Sequence, residues 1–289
     1  MTINESIEHP GALEERRTDL AEGYDSGIGG GSMPSDARSA DLEIIIPTLN
    51  EEARIGTVLQ ALVEYLGCQS WRSSVVIVDN GCTDRTLEVA DLVSCADVSV
   101  RVIGCRDRGK GAAVRRGVLA ASARYVGFCD ADLSTPAHTI GPVMRLMKSG
   151  HQVVIGSRRC DGAEYVDVQP MRRRVGGAFF RSVARSVAPS ITDTQCGFKF
   201  FHTHIAKALF SRATAEGFAF DAEIVGLALA AGITVTEVPV TWTDSGGSSF
   251  RLLSDGYGAM RELLAVRARV GETAPGVREL LRERDAARL

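Results

Sequence analysis

Asp130 and Asp132, in the run Asp130-Ala131-Asp132-Leu133-Ser134, are the residues whose types and spacing point most directly to chemistry. They follow the apolar run YVGFC, and two carboxylates at i and i+2 beyond a strand end can leave a sheet toward one cation. Hard oxygen ligands suit Mg2+ or Mn2+, which bind through one or two carboxylates plus substrate phosphates. The same run also reads as an acidic turn in which Ser134 or Thr135 caps a helix opening at Pro136.

Two further clusters suit a phosphorylated ligand. In Asp79-Asn80-Gly81 a carboxylate can accept hydrogen bonds from a nucleobase or ribose, while glycine permits close backbone approach. A tight turn before a helix capped by Thr83 or Asp84 accounts for the same residues, and the two readings are compatible. In Gly109-Lys110-Gly111 the lysine can meet diphosphate charge beside a helix N-terminus, although a surface turn is the plainer reading. The chain has no GxxxxGK[ST] loop. Its seven cysteines form no CxxC pair and read as reduced thiols, with Cys82 and Cys129 as small fillers inside motifs.

These clusters need a scaffold that brings them together. Short β-branched runs at 42–48, 74–80, 98–104, 124–130 and 152–158 read as buried strands. Helical spacing lies between them at 51–66, from Thr83 and Thr86 to about Ala96, at 110–123 and at 136–149. Strands alternating with helices predict an α/β fold with a mainly parallel central sheet flanked by helices. Ligands of such sheets bind outside the carboxyl ends of the strands, where PTLNEE, DNGCTD, DADLS and GSRR all fall. Beyond Arg158 the rhythm changes. The reading there is a loop at 161–170, a basic amphipathic helix at 171–188 and a strand near 198–202. Helices at 204–214 and 221–231, a strand at 233–241 and a helix over 251–270 complete it.

Composition narrows the function classes. With 45% hydrophobic and 24% charged residues the chain reads as globular, and a net charge of −3 argues against a general nucleic-acid binder. Residues 1–41 carry nine Asp and Glu against three Arg, which leaves the rest mildly basic and suited to phosphates. Segment 1–40 reads as a disordered acidic leader, 41–270 as one catalytic domain and 271–289 as a charged C-terminal tail. The N-terminal residues have no apolar core of a signal peptide, and no stretch reaches ~18 uncharged apolar residues. The expectation is a cytoplasmic protein with at most peripheral membrane contact. Helix 171–188 interleaves Arg172, Arg173, Arg174, Arg181 and Arg185 with Val175, Phe179, Phe180 and Val183. Such a helix lies on an anionic membrane or packs on its own domain or a second subunit, the last giving a homodimer.

The ordered set IIIPTLNEE, VDNGCTD, RGKGAA, DADLS, GSRR, DTQCGFK, FDAE and EVPVTW resembles family 2 glycosyltransferases. It is most similar to the dolichyl- and polyprenyl-phosphate mannose synthase and glucosyltransferase branch, over roughly residues 42–267. The resemblance implies a GT-A nucleotide-diphospho-sugar transferase fold and an inverting, metal-dependent hexosyltransferase. Its donor would be UDP- or GDP-linked and its cofactor Mg2+ or Mn2+. It further implies that Pro47, Leu49, Glu51 and Asp79 line a nucleoside pocket. Asp130 and Asp132 would then face the diphosphate, with Asp132 and Ser134 reaching the metal. Arg158 and Arg173 would hold phosphate near the reacting centre, and Asp193 would open a motif on the acceptor side. The chain departs from the family's DDGS at Asn80 and Cys82, and Ser134 stands where Gln or Asp is frequent.

The implied reaction is displacement at an anomeric carbon with a nucleoside diphosphate leaving. A lipid-phosphate acceptor arrives ionised and needs no strong base. A soluble hydroxyl or amine acceptor would call for a carboxylate, with Asp193 and then Asp221 as candidates. A nucleotidyltransferase would show a Gly-rich basic signature after the first strand, where this chain has the acidic PTLNEE. A non-enzymatic sugar-nucleotide sensor is disfavoured by the intact Asp130, Asp132, Arg158 and Arg173.

Overall fold

The structure is a computed structural model that describes residues 25–26, 40–165, 182–243 and 254–286. Its strands are β1 (Asp25–Ser26), β2 (Leu42–Thr48), β3 (Ser73–Asp79), β4 (Val98–Gly104), β5 (Tyr125–Cys129), β6 (Val153–Ser157), β7 (Glu164–Tyr165), β8 (Phe198–His202), β9 (Val235–Pro239) and β10 (Thr241–Trp242). The labelled helices are α1 (Ile55–Gly67), α2 (Thr86–Asp91), α3 (Lys110–Ala120), α4 (Ile140–Lys148), α5 (Thr203–Phe210), α6 (Phe220–Ala230) and α7 (Ser254–Ala286). Residues 182–187 are also helical.

One sheet takes the order β1-β4-β3-β2-β5-β8-β6-β9. Strands β4, β3, β2 and β5 run parallel, while β8 runs antiparallel to both of its neighbours, β5 and β6. The β-branched runs are buried because helices cover both faces, and alternate residues serve opposite layers. Leu42, Ile44, Ile46, Val75, Ile77 and Tyr125 pack with Leu59 and Leu62 of α1 and with Val143 and Met144 of α4. Ile45, Val76, Val78, Val126 and Phe128 pack on the other side with residues of α3, α5, α6 and α7.

Several boundaries differ from the reading above. Helix α1 begins at Ile55 because the preceding loop is tied to a neighbouring one, and α2 stops at Asp91. Part of the expected loop at 161–170 is β7, which pairs in parallel with β10 as a separate two-stranded sheet. The last helix does not end near 270. It continues through Pro275 to Ala286 because Ala274 and Val277 are buried and Leu280 and Leu281 pack on the core.

Most of segment 1–40 lies outside the described residues, although Asp25 and Ser26 pair antiparallel with Ile103 and Val102. Residues 166–181, including Arg173 and most of the expected basic helix, also lie outside them. At the described end of that helix, Ala184, Val187 and Ala188 pack into the domain's own core.

Candidate active site

The chain runs from β2 outward to β3 and β4, then returns to place β5 on the opposite side of β2. That reversal opens a crevice beyond the carboxyl ends of the strands. Pro47 lies beside Val78 one residue before the end of β2, and Asp79 ends β3 beside Thr48. Leu49 is 46% exposed at this mouth, an apolar surface that a nucleobase can cover.

The loop after β2 is fastened to the loop after β3. Asn50 adopts a left-handed conformation with φ 56°, and its Oδ1 accepts from the Thr83 N–H at 2.8 Å. The Glu51 N–H donates to Thr86 Oγ1 at 2.7 Å, and the Arg85 N–H donates to Glu52 Oε2 at 2.9 Å. The Glu51 carboxylate pairs with Arg54. Burial raises its pKa against the pull of Arg54, and the nearby carboxylate of Asp132 adds to the rise. Burial likewise pushes the Cys82 thiol up to about 12, so Cys82 packs as an unreactive filler.

Asp79 and Asn80 have different tasks. Asp79 Oδ1 accepts from the N–H groups of Gly81 and Cys82 at 3.1 and 2.8 Å, which is the turn expected from the sequence. Asn80 reaches the other way. Its Nδ2 donates to the Asp107 carbonyl at 2.7 Å and its Oδ1 accepts from the Gly109 N–H at 2.8 Å. A carboxylate accepts only, so the amide joins two loops in a way that the aspartate of DDGS would not.

Gly109 has φ 125°, and a Cβ there would stand 2.3 Å from the Glu216 carbonyl oxygen. This close approach sets Lys110 at the first position of α3, where its Nζ lies 2.5 Å from Asp130 Oδ1. Burial pulls the Lys110 pKa down, but Asp130 and Asp221 outweigh it and the ammonium is held above its ordinary range. Asp132 Oδ1 accepts from the Ser134 N–H at 3.0 Å, and the Ser134 carbonyl accepts from Thr243 N–H at 3.1 Å. The turn Ala137–Thr139 follows Pro136, which supplies no side-chain cap.

On the far side of β5, Arg158 leaves the end of β6 and meets Asp193. Arg158 Nε and Nη2 donate to Asp193 Oδ2 and Oδ1 at 2.6 and 2.9 Å, and the Arg158 backbone N–H donates to Oδ2 at 3.1 Å. Asp193 is buried. Burial alone would raise its pKa, but the Arg158 hydrogen bonds and charge hold it down at about 2. Trp242 lies under the guanidinium at 5.7 Å, and Glu237 fixes the loop by accepting from the N–H groups of Thr192 and Asp193.

Asp221 opens α6 and is buried against Lys199 Nζ, which also donates to the Cys196 carbonyl at 2.6 Å. Burial raises the Asp221 pKa more than Lys199 and Lys110 lower it. Lys199 and the partnerships of Asn80, Glu237 and Trp242 escape the sequence reading. The one available signal was a lysine within the aromatic strand FKFF.

The structure thus gathers Glu51, Lys110, Asp130 and Asp132 on one side of the crevice and Arg158 with Asp193 on the other. No three His, Cys, Asp or Glu side chains cluster as a self-sufficient metal site among the described residues.

Comparison with known proteins adds three findings. The family model described as Glycosyl transferase family 2 matches residues 43–210. A dolichyl-phosphate beta-glucosyltransferase of Trichomonas vaginalis is 29% identical over 220 residues, which cover 72% of this chain and 65% of that protein. A dolichyl-phosphate beta-glucosyltransferase of Drosophila melanogaster is 32% identical over 236 residues, covering 74% of this chain and 70% of that protein. The chain therefore spans about two thirds of the length of these relatives. Among solved structures, glucosyl-3-phosphoglycerate synthase of Mycobacterium tuberculosis superposes with a TM-score of 0.60 at 18% identity, covering 81% of each chain. The same enzyme in complex with Mn2+, uridine-diphosphate-glucose and phosphoglyceric acid superposes with a TM-score of 0.59, covering 80% of each chain. At this identity the likeness is one of fold.

Proposed function

The chain belongs to glycosyl transferase family 2, and on that premise we propose that it moves a hexose from a UDP- or GDP-linked donor to a polyprenyl-phosphate acceptor, with inversion. The observation that supports this acceptor class is the state of the two candidate bases. Asp193 is locked in a fork with Arg158, and Asp221 is locked against Lys199. Neither is placed to take a proton from a hydroxyl. An acceptor that brings an ionised phosphate oxygen needs no such group.

In this reading the acceptor oxygen bonds to the anomeric carbon from the face opposite the diphosphate. The bond from that carbon to the diphosphate oxygen breaks, and its electron pair leaves with the nucleoside diphosphate. No proton transfer is required. Lys110, at the start of α3, answers the charge growing on the leaving group, helped by the N–H groups of that helix end. Arg158, held in one orientation by Asp193 and Trp242, meets the acceptor phosphate. Leu49 and Asp79 contact the nucleoside.

The residues fit a divalent cation. Asp130 is engaged by Lys110, so Asp132, with Ser134 beside it, would be the residue to hold Mg2+ or Mn2+ together with the donor's phosphates. When bound, such an ion supplies further stabilisation of negative charge on the leaving group. No described helix is long and apolar enough to cross a membrane.

The test is incubation with labelled UDP- and GDP-sugars, Mn2+ and either polyprenyl phosphate or water-soluble acceptors. Butanol-extractable label is the expected result. Label confined to the aqueous phase would overturn the acceptor assignment, and release of pyrophosphate would overturn the reaction class.

A further inference from the structure

The segment Asp193–Lys199 lies on the acceptor side of the crevice, yet two of its residues bear on the donor side. Gly197 lies directly beneath Asp130. A Cβ at Gly197 would stand 2.2 Å from Asp130 Oδ2 and 2.5 Å from both Cγ and Oδ1. The carboxylate rests on bare backbone, and no other residue type leaves it there.

Lys199, two residues further on, is fully buried in the layer beneath the crevice. Its ammonium lies 5.4 Å from the centroid of Phe128, and the Lys110 ammonium lies 5.9 Å from that of Phe220. The two rings lie 5.6 Å apart, centroid to centroid. Two ion pairs thus lie close together, Lys110 with Asp130 and Lys199 with Asp221. Lys110 is within electrostatic reach of both Asp130 and Asp221, but its contact is with Asp130. Lys199 is what answers Asp221.

We propose that Gly197 and Lys199 are positioning residues for the nucleotide-sugar donor. Gly197 fixes the place of the Asp130 carboxylate. Lys199 neutralises Asp221 and so leaves Lys110 on Asp130, with its ammonium at the diphosphate. Without Lys199, Asp221 loses its buried ion-pair partner and is left as an uncompensated buried carboxylate. Lys110 is the other cation that Asp221 senses, and it would be pulled inward, away from the donor. This inference rests on the glycosyl-transfer reading.

The test is equilibrium titration calorimetry with UDP-glucose and GDP-mannose in Mn2+, which reads binding without turnover. K110M and K199M are each expected to weaken binding about tenfold, and the double variant K110M/K199M no more than either alone, because coupled sites do not add. K199M/D221N removes both buried charges and is expected to bind within about twofold of wild type. G197A is expected to weaken binding in wild type but to add nothing in a D130A background.

If K199M fails to fold, K199M/D221N and the G197A/D130A pair still decide. The positioning role is overturned if K199M binds as tightly as wild type, if K199M/D221N binds tenfold more weakly than wild type, or if G197A weakens D130A as much as wild type. Failure of wild type to bind either nucleotide sugar would instead overturn the glycosyl-transfer reading and this inference with it.

Discussion

Arg158 and Asp193 are joined at three points across 35 residues of chain: two guanidinium bonds to the two carboxylate oxygens, and the Arg158 backbone N–H to one of them. The pair lies at the junction of β6 and the loop before β8. Its carboxylate is buried, so it acts as the fixed member and the arginine as the one it aims.

This pair makes stability depend on acid pH. The Asp193 pKa is lowered from 3.8 to about 2, so its contribution is complete above the unfolded value and is lost as pH falls toward 2. A shift of this size corresponds to about 2 kcal/mol. Urea denaturation of wild type should lose that amount between about pH 4 and pH 2. D193N should lack this slope and should be less stable at pH 7 by about 2 kcal/mol, because the charge-assisted bonds of the carboxylate to Arg158 are lost.

Asn80 offers a second test. N80D keeps the shape and removes the donor, so a carboxylate would face the Asp107 carbonyl at the distance of the lost bond. A loss of about 1 kcal/mol in stability is expected, because the hydrogen bond from residue 80 to the Asp107 carbonyl is removed. Donor affinity should fall with it, since the bond that is lost anchors the loop leading into Gly109 and Lys110. Thermal unfolding and nucleotide-sugar titration measure the two effects.

Gly109→Ala should be among the more damaging single changes in the described loops. It adds strain at φ 125° to a collision with the Glu216 carbonyl. Strain of this kind costs on the order of 1–3 kcal/mol before the collision is relieved. Relief would move the start of α3, so the Michaelis constant for donor should rise more than kcat falls. Steady-state kinetics at varied donor concentration distinguish the two.

Asp132→Asn should lower kcat by roughly 100-fold or more while leaving the melting temperature near that of wild type, as expected where stabilisation of the leaving group is lost. Chelation should abolish product formation by wild type, and added Mn2+ should restore it. Activity that survives both D132N and chelation would remove the cation from the mechanism.

The parallel strands were legible because a strand buried on both faces is apolar through its middle, as III, VVIV and YVGF are. The acidic and glycine clusters were legible because each directly follows such a strand. What stayed hidden was pairing at a distance. Nothing local in DTQCGFK says that its lysine meets an aspartate 22 residues later. Nor does DNG announce that its amide spans to residues 107 and 109. The end of α7 was missed for a different reason. Charges crowd its sequence, and the few residues that bury, such as Ala274 and Val277, are revealed only by what they pack against.

The reversal of β8 has a consequence for how acceptor preference can change. Because β6 and β8 are antiparallel neighbours, with Ile155 opposite Lys199, the chain departs and returns at the same rim of the sheet. Residues 158 and 197, which bound a stretch of forty residues, therefore stand side by side at that rim. A sequence of different length can thus be joined between these two points without moving Arg158, Asp193 or Gly197, so this is a place where relatives can diverge while the donor side stays as it is.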